Sequence, residues 1–342
     1  MTRTAARPIW LALLLLAGML LLSVAVGSVF ITPASLFEIF RLRLSGIEIP
    51  AALRPFTTIL FTLRLPRTVL MAVTGAALAG SGAAYQGLFR NPLADPYLIG
   101  VASGAGLGAV VAMMGQAQTT QLGMFAVPAA AFAGALLTVF IVYELARVGR
   151  ALPVTNLVLA GVAASSFATA LTSFLMLNST GELRRALVWL LGGSTMSGWQ
   201  PVLAQLPYVV LGLGVLLTMG HALNVMQVGD EQAQQLGLPV ERVRFAVVIS
   251  ATLATAAAVS FAGVIGFVGL IVPHVVRMLC GSDYRRILPL SVLGGAALLL
   301  LADVLARVVM APQEVPVGVI MSLGGAPFFL WVLRRAKHQN FW

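Results

Sequence analysis

Ionisable side chains inside apolar segments are the residues of this sequence most able to do chemistry. His274 follows Pro273, and Arg277 lies about one helical turn further on. Asp303 and Arg307 are four residues apart, a spacing that places them on one helix face. Ionisable residues are costly within a membrane and usually have a function there. Asp303 and His274 would fit a proton-coupled carrier. The alternative is structural: a local Asp303–Arg307 ion pair near the outer face, with His274 stabilising a helix that breaks at Pro273.

Motifs for other chemistry are absent from the sequence. The only lysine is Lys337, followed by His338, so the phosphate-binding motif G-x-x-x-x-G-K-[ST] does not occur. H-E-x-x-H and G-x-S-x-G are missing as well. Three scattered histidines do not match a tri-histidine metal site, and the single cysteine, Cys280, fits a small apolar filler. We therefore expect no catalytic site, no metal and no cofactor in this chain.

The composition indicates the class of protein in which these residues lie. Of the 342 residues, 59% are hydrophobic and 9% are charged, and the mean hydropathy is +0.97. A soluble domain has about 25% charged residues, so this chain lacks the side chains for a water-facing surface. The apolar run 11–16 does not alternate with polar residues, as the strands of a membrane barrel do. The sequence predicts an all-α integral membrane protein with one permease domain over residues 1–342.

About ten segments are apolar enough to be membrane helices. We place them at 9–31, 64–86, 93–114, 124–146, 153–177, 200–220, 243–266, 268–281, 287–309 and 317–335. Segment 268–281 is too short to cross alone. The first segment also resembles a signal peptide, but its apolar stretch is longer than usual, so we expect a retained helix.

The net charge of +10 requires no nucleic-acid partner. With the N-terminus inside, most basic residues fall on inner loops, in agreement with the positive-inside rule. We therefore expect a multi-pass protein of the cell (inner) membrane with both termini cytoplasmic. Arg64, Arg67 and Arg307 are exceptions near the outer face. From position alone, the expected explanation is that they reach lipid headgroups, or that Arg307 neutralises Asp303.

Two polar loops have helix signals of their own. Segment 33–41, on the outer side, combines a capping residue with apolar residues at helical spacing, which is typical of an interfacial helix. In the inner loop 221–244, Asp230 fits the cap of a short helix, Gly237 a left-handed turn that closes it, and Pro239 the start of a second helix. Two short helices here indicate either a docking element or an ordinary surface loop.

A weak internal repeat relates the two halves of the chain. Ala79-Gly80, Gly87-Leu88 and Pro92 recur as Ala262-Gly263, Gly269-Leu270 and Pro273. In the predicted topology the two copies run in opposite directions. Inverted repeats with helices broken by glycine and proline are typical of transporters.

Longer motifs resemble one transporter family. They are Leu63-Arg64-Leu65-Pro66-Arg67, 75–82, Gln86, Arg90-Asn91-Pro92-Leu93-Ala94-Asp95-Pro96, Trp189-Leu190-Leu191-Gly192-Gly193-Ser194, 229–238, 263–277 and Gly324-Gly325-Ala326-Pro327-Phe328-Phe329. In this order, and over nearly the whole chain, they resemble the FecCD family of ABC importer permeases, the membrane subunits that import iron–siderophores, haem and cobalamin. Matches of this length are highly specific.

The resemblance implies a type II ABC importer permease fold with ten helices per subunit. It implies a homodimer whose pathway lies on the two-fold axis. It also implies two copies of a separate cytoplasmic ATPase subunit, so that hydrolysis does not occur in this chain, and a periplasmic substrate-binding protein.

The resemblance also implies roles for particular residues. Arg64, Arg67 and Arg307 match sockets for acidic residues of the binding protein. The positions that match the family's ATPase-coupling element are Asp230, Glu231, Ala233, Leu236, Gly237 and Leu238. Helix-break or structural positions are matched by Asn91, Pro92, Pro273, His274 and Arg277. Because the P-H-x-x-R motif occurs in family members with different ligands, we expect His274 to be structural.

The cargo stays open among ferric siderophore, haem and cobalamin. Haem ligation in transit would require His, Met or Tyr on the pathway. His221 and His338 fall instead at the inner face, which slightly favours a ferric siderophore or cobalamin. The small and apolar residues of 100–109 suit a wide channel that binds a bulky solute weakly.

Overall fold

The computed structural model describes residues 3–27, 29, 31–115, 122–149, 151–179, 181–193 and 196–336. Ser194, Lys337 and His338, which are named above, lie outside these ranges. Within them the chain is almost entirely helical. The α-helices are α1 Arg3–Ala25, α2 Pro33–Leu44, α3 Arg54–Thr58, α4 Leu65–Leu88, α5 Val101–Met114, α6 Ala126–Ala146, α7 Val154–Leu177, α8 Leu183–Leu190, α9 Trp199–Thr218, α10 Gly220–Met226, α11 Asp230–Gln235, α12 Val240–Ala262, α13 Val268–Cys280, α14 Tyr284–Val308 and α15 Val317–Ala336.

The apolar helices match the predicted spans. Seven helical segments of the described chain are long and apolar enough to cross a membrane: Arg7–Ala25, Ala51–Leu88, Ala126–Ala146, Val154–Leu177, Trp199–Thr218, Val240–Ala262 and Tyr284–Val308. Shorter apolar helices are Val101–Met114, Val268–Cys280 and Val317–Val332. Each overlaps a predicted span, which confirms the all-helical prediction. At about 1.5 Å per residue, α13 is about 20 Å long, less than the roughly 30 Å of a bilayer core.

The segment Ala51–Leu88 is one continuous helical rod of 38 residues. It begins with the 3₁₀ turn Ala51–Leu53, continues as α3, passes through a π-helical stretch Ile59–Arg64 and becomes α4. Pro66 lies in the first turn of α4 and has no N–H to donate to the preceding π-helical stretch, where the carbonyl of Phe61 accepts from Trp199 Nε1 at 3.1 Å. Arg64 and Arg67 therefore lie on either side of a change in helical pitch, a feature that is frequent at functional sites.

Glycine allows α4 to pack directly against its neighbours. A Cβ atom at Gly75 would collide with the backbone carbonyl of Gly295 on α14, and one at Gly82 would collide with the backbone of Gly269 on α13. In a membrane, helix association depends on close van der Waals packing, which small residues permit. The two contacts hold α4, α13 and α14 together as the core of the protein.

Polar groups buried on α4 find partners on the neighbouring helices. Ser81 donates a hydrogen bond to the carbonyl of Ala251 at 3.2 Å, and the Tyr85 hydroxyl donates to the carbonyl of Val248 at 3.3 Å, both on α12. The Gln205 amide of α9 donates to the Thr74 hydroxyl at 3.0 Å. Because an unpaired polar group is costly in an apolar medium, these bonds also fix how the helices are oriented.

The two motifs predicted to break helices have different outcomes in the structure. Asn91 and Pro92 lie in the turn after α4, where the Asn91 side chain accepts a hydrogen bond from the N–H of Leu93 at 2.9 Å. The predicted break at Pro273 was wrong, because α13 continues through Pro273. A proline there frees the carbonyl of Gly269, four residues earlier. The Gln86 amide of α4 donates to that carbonyl at 3.2 Å, which compensates for the lost helical bond.

The real interruption lies between α12 and α13. Gly263, at φ +77°, ends α12, and Phe267, at φ +69°, precedes α13. In the first copy of the weak repeat the corresponding glycine, Gly80, lies inside α4. The two sequence copies therefore adopt different local structures, although they contact each other where Gly82 meets Gly269.

The two loop predictions have different outcomes. The interfacial segment is helical as α2, and the Thr32 side chain caps it by accepting from the N–H of Ser35 at 3.2 Å. In the inner loop, Gly237 closes α11 at φ +84°, as predicted. The predicted capping role of Asp230 was wrong, because Gly229 occupies the cap position and the Asp230 carboxylate pairs with Arg244 instead. Pro239 precedes the long helix α12 and not a second short helix.

The contact between Gly75 and Gly295 makes a prediction about stability. Gly75→Ala should lower the thermal unfolding midpoint of the purified protein, because the added methyl group forces two backbones apart at a cost of about 1–3 kcal/mol. The control is Gly214→Ala on α9, where the added atom meets nothing within 4 Å. Alanine favours helix over glycine by about 1 kcal/mol, so the control should be neutral or stabilising. Equal midpoints for the two variants would contradict this account of the core.

Candidate functional site: two polar clusters on one helix pair

Helices α4 and α14 run antiparallel and carry a polar cluster at each end. At one end, the arginine cluster consists of Arg64, Arg67, Asp303, Arg307 and Glu314. At the other end, the polar belt consists of Gln86, Asn224, Gln227, Arg277, Asp283 and Tyr284. The helix pair positions both, since α4 begins beside Arg64 and ends beside Gln86, while α14 begins at Tyr284 and ends near Arg307.

A fully buried carboxylate lies at the centre of the arginine cluster. Asp303 is 0% exposed, and its two oxygens contact Arg67 Nε at 2.8 Å and an Arg307 Nη atom at 3.0 Å. Arg67 also contacts Glu314 at 2.6 Å. The chain of charges therefore runs from Arg307 through Asp303 and Arg67 to Glu314, which is about half exposed. This arrangement neutralises a charge that an apolar medium would otherwise exclude.

The other contacts of the cluster hold the end of α1. Arg64 donates to the carbonyls of Val24 and Ala25, both at 3.0 Å, and to the carbonyl of Val29. Arg307 donates to the carbonyl of Ser23 at 3.2 Å and to that of Val26 at 2.9 Å. The last carbonyls of a helix have no partner within it, and cations are favourable there. The two arginines thus act as a cap for α1.

The three arginines that the sequence assigns to docking differ in their exposure. Arg64 is 6% exposed and Arg307 5%, whereas the Arg67 side chain is 30% exposed. Arg64 and Arg67 also contact different partners and do not form one surface. Next to Arg67 and Glu314 lies a cleft of about 360 Å³, lined mainly by apolar residues such as Met71 and Pro316. Arg67 is therefore the member of the three that a partner reaches most readily.

The structure gives Asp303 and His274 no shared contact among the described residues. The His274 ring packs near Phe329, with ring centroids 6.2 Å apart. Arg277 donates to the Gln86 side-chain oxygen at 3.0 Å and to the Tyr284 hydroxyl at 3.2 Å. Asp303 is held by two guanidinium groups. A proton-coupled carrier needs an acid that can release its arginine partners, and this geometry does not favour one.

The polar belt joins the short helix α10 to the ends of the pair. The Asn224 amide donates to Asp283 Oδ1 at 2.6 Å, and its oxygen accepts from the backbone N–H of Tyr284 at 2.8 Å. Gln227 donates to the carbonyl of Gly87 at 2.9 Å. Hydrogen bonds from Arg285 and Asn224 lower the pKa of Asp283 to about 2, so its carboxylate is ionised at neutral pH.

Helix α11, the predicted ATPase-coupling element, is anchored by a buried arginine. Arg244, near the start of α12, is 3% exposed and contacts Asp230 and Glu241, both at 2.6 Å. Arg90 contacts Asp230 from the other side at 3.6 Å. Ala233 is buried against the protein, whereas Leu236 is 71% exposed. Of the other predicted coupling residues, Glu231 is exposed, Gly237 forms the closing turn and Leu238 is half-buried.

Several residues of the site were missed from the sequence, among them Arg244, Asn224 and Glu314. The spacing of Glu241 and Arg244 at i,i+3 indicates a local ion pair, but not that Arg244 is buried beneath α11. Asn224 and Glu314 carry no motif, since their partners are distant in the chain.

The model of the FecCD transport family matches residues 13–335. The chain belongs to the FecCD transport family. A relative described as an uncharacterized ABC transporter permease protein, YvrB of Bacillus subtilis (strain 168), is 41% identical over 95% of this chain and 92% of its own length. The cobalamin import system permease protein BtuC of Halobacterium salinarum is 50% identical over 80% of this chain and 72% of its own length.

A solved structure has the same fold. It is described as an inward-facing conformation of a metal-chelate type ABC transporter, and it matches with a TM-score of 0.83 at 28% identity. The match covers 95% of this chain and 98% of that one. Further relatives are named for the import of hemin and of Fe(3+)-citrate. The predicted type II ABC importer permease fold is thereby confirmed, and the chain is a multi-pass membrane permease of this FecCD family.

The buried Asp303 makes a prediction about the arginine cluster. Asp303→Asn removes the charge that Arg67 and Arg307 share, and losing one partner of a buried ion pair costs about 3–5 kcal/mol. We expect a lower thermal unfolding midpoint and faster proteolysis of the loop that follows α1. The control is Glu48→Gln, which breaks the exposed Glu48–Arg54 pair and should change little. Similar losses in the two variants would show that Asp303 does not organise the cluster.

Proposed function

We propose that this FecCD permease moves a bulky metal chelate, such as a ferric siderophore, haem or cobalamin, into the cytoplasm. Two copies of the chain line the pathway, two cytoplasmic ATPase subunits supply the energy, and a periplasmic binding protein delivers the cargo. In this orientation the arginine cluster is outside, the loop with α11 is inside, and both termini are cytoplasmic. Relatives named for cobalamin, hemin and Fe(3+)-citrate import support this class of cargo.

One observation carries the proposal at the inner end. Helix α11 is too short to be stable alone, yet it is fixed to α12 through Arg244 and is followed by Leu236, which is 71% exposed. Val228, 58% exposed, is a second large apolar side chain on the same loop, and exposed apolar surface surrounded by polar residues is typical of a protein contact site. We assign this surface to the ATPase subunit, with the predicted coupling residues 230–238 around it.

A homodimer accounts for the exposed surface of α7. Phe167 is 71% exposed, Phe174 62% and Leu177 86%, and only a few residues of the helix are buried. Two clefts in the described part of the chain, of about 360 and 450 Å³, are lined mainly by apolar residues, so we place the pathway between two copies related by a two-fold axis. In that arrangement α7 lies next to its counterpart in the second subunit.

Docking of the binding protein rests on the exposed part of the arginine cluster. Arg67 donates from Nε to Asp303 and from Nη1 to Glu314, and the other N–H groups of its guanidinium are donors for an acidic side chain of the partner. Arg64 and Arg307 support this site by fixing the end of α1 beside it. In this proposal the two buried arginines position the socket, and Arg67 contacts the partner.

The inner surface is tested by Leu236→Asp. A carboxylate there would be buried unpaired in the ATPase interface, so we expect at least a tenfold loss of ATP-driven uptake in vesicles, equivalent to roughly 1.4 kcal/mol or more. Leu44→Asp on α2 is the control, because Leu44 is similarly exposed, at 87%, but belongs to the outer segment. Normal uptake by Leu236→Asp would remove α11 from the mechanism. Uptake driven by a pH gradient without ATPase subunits would support a secondary carrier instead.

The outer surface is tested by Arg67→Gln. Loss of this charge should weaken binding of the matching binding protein about tenfold and reduce the dependence of binding on salt. Arg54→Gln is the control, since Arg54 is also exposed and paired with a glutamate, Glu48, in the same outer region. Binding is measured on nanodisc-embedded permease at several salt concentrations. If both variants bind alike, Arg67 has no docking role.

A further inference from the structure

The short helix α10 is attached to both members of the central helix pair. At its start, Gly220 lies against the backbone of Arg285, where a Cβ atom would be 3.0 Å from the Arg285 Cα. Near its end, Asn224 contacts the first turn of α14, and Gln227 contacts the carbonyl of Gly87 at the end of α4. Helix α10 therefore cannot move far without moving α4 and α14.

The side-chain amide of Asn224 both donates and accepts a hydrogen bond. Its Nδ2 donates to Asp283 Oδ1 at 2.6 Å, and its Oδ1 accepts from the N–H of Tyr284 at 2.8 Å. Asp283 is also the cap of α14, because it accepts from the N–H of Arg285. A side chain that donates and accepts at once has one permitted orientation, which makes the connection rigid.

Contacts between α4 and α14 extend this connection from the polar belt to the arginine cluster. Three close contacts join α4 and α14 in register: Gly87 with Tyr284, Gly80 with Val292, and Gly75 with Gly295. Beyond them Arg67 of α4 is paired with Asp303 of α14. The pair is therefore continuous from the polar belt to the arginine cluster.

Displacement of the inner loop 221–244 has two routes into the membrane helices. Arg244 ties α11 to α12, whereas Asn224 ties α10 to α14. The first reaches the helix pair through α12, which bonds to Ser81 and Tyr85 of α4, whereas the second contacts the first turn of α14 with no helix between. Helix α12 contributes no residue to the arginine cluster within the described part of the chain.

We propose that Asn224 is a positioning residue for energy coupling: it transmits displacement of the inner loop to the α4–α14 pair, and through that pair to the arginine cluster. This inference rests on the proposed function, in which α11 contacts the ATPase subunit. The partners of Asn224 give it a distinctive chemical requirement, namely one donor toward Asp283 and one acceptor toward Tyr284.

That requirement provides a matched set of variants. Asn224→Asp places two carboxylates in contact and removes the donor, while the acceptor for Tyr284 remains. Combining Asn224→Asp with Asp283→Asn exchanges the two side chains, so that position 283 donates and position 224 accepts. Asparagine also caps helices well, so the exchange retains the start of α14. Thr218→Ala is the control, because the Thr218 hydroxyl donates to the carbonyl of Val215 in its own helix, α9, which has no part in the proposed route.

The experiment uses the whole complex of permease, ATPase subunits and matching binding protein in liposomes. The readout is the number of cargo molecules taken up per ATP hydrolysed, which loss of protein alone does not change. For Asn224→Asp we expect about a tenfold lower ratio, within the range of typical coupling between sites. The exchanged pair should return to within about twofold of the wild type, and Thr218→Ala should equal it.

The outcomes separate the two proposals. A wild-type complex without ATP-dependent uptake would contradict the proposed function itself. Normal uptake by the wild type together with a normal ratio for Asn224→Asp would overturn only the role of Asn224. If Asn224→Asp does not assemble, Asn224→Ala takes its place, with the same expected direction. An exchanged pair that assembles but keeps the low ratio would also overturn the inference, because the donor and acceptor would then not be what matters.

Discussion

The direct backbone contact between α4 and α14 is the constraint on which the remaining structure depends. Gly75 and Gly295 meet with no side chain between them. Lipid tails give no hydrophobic drive for helices to associate, so the attraction comes from the close fit itself. Once the two helices are in contact, the positions of Asp303 opposite Arg67 and of Tyr284 opposite Gly87 follow from their registers. The polar clusters are consequences of this packing and also reinforce it.

Each cluster satisfies groups that the apolar surroundings would otherwise leave unpaired. At one end the carbonyls that terminate α1 receive the guanidinium groups of Arg64 and Arg307, and Asp303 balances the charge of Arg307. At the other end the carbonyl freed by Pro273 receives the amide of Gln86, whose oxygen accepts from Arg277. Removing one member of either network leaves several groups without partners. Of the four buried charged residues in the described chain, Arg64, Asp303 and Arg307 lie in the arginine cluster, where each has such partners.

Sequence patterns predicted the features that depend on local periodicity. The apolar runs predicted the membrane helices, and the capped segment 33–41 predicted α2. The errors occur where a distant group replaces a local one. Pro273 does not break α13 because Gln86, far away in the chain, satisfies the freed carbonyl. Asp230 does not cap α11 because Arg244 of the next helix attracts its carboxylate. The burial of Arg64 and the contacts of Asn224 were likewise beyond prediction, since both depend on which helices pack together.

The two ends of the helix pair differ in the kind of contact they present to a partner. The arginine end exposes part of Arg67 and Glu314, which are charged, whereas the loop end exposes Leu236, which is apolar. Exposed charges speed association but are screened by salt and add little net affinity, a combination suited to a partner that binds and leaves. A leucine that becomes buried when a partner binds is typical of long-lived interfaces, which are more apolar. In the proposed function the charged surface contacts a binding protein that exchanges and the apolar one an ATPase subunit that stays bound, and the difference between the two surfaces suits these two kinds of contact.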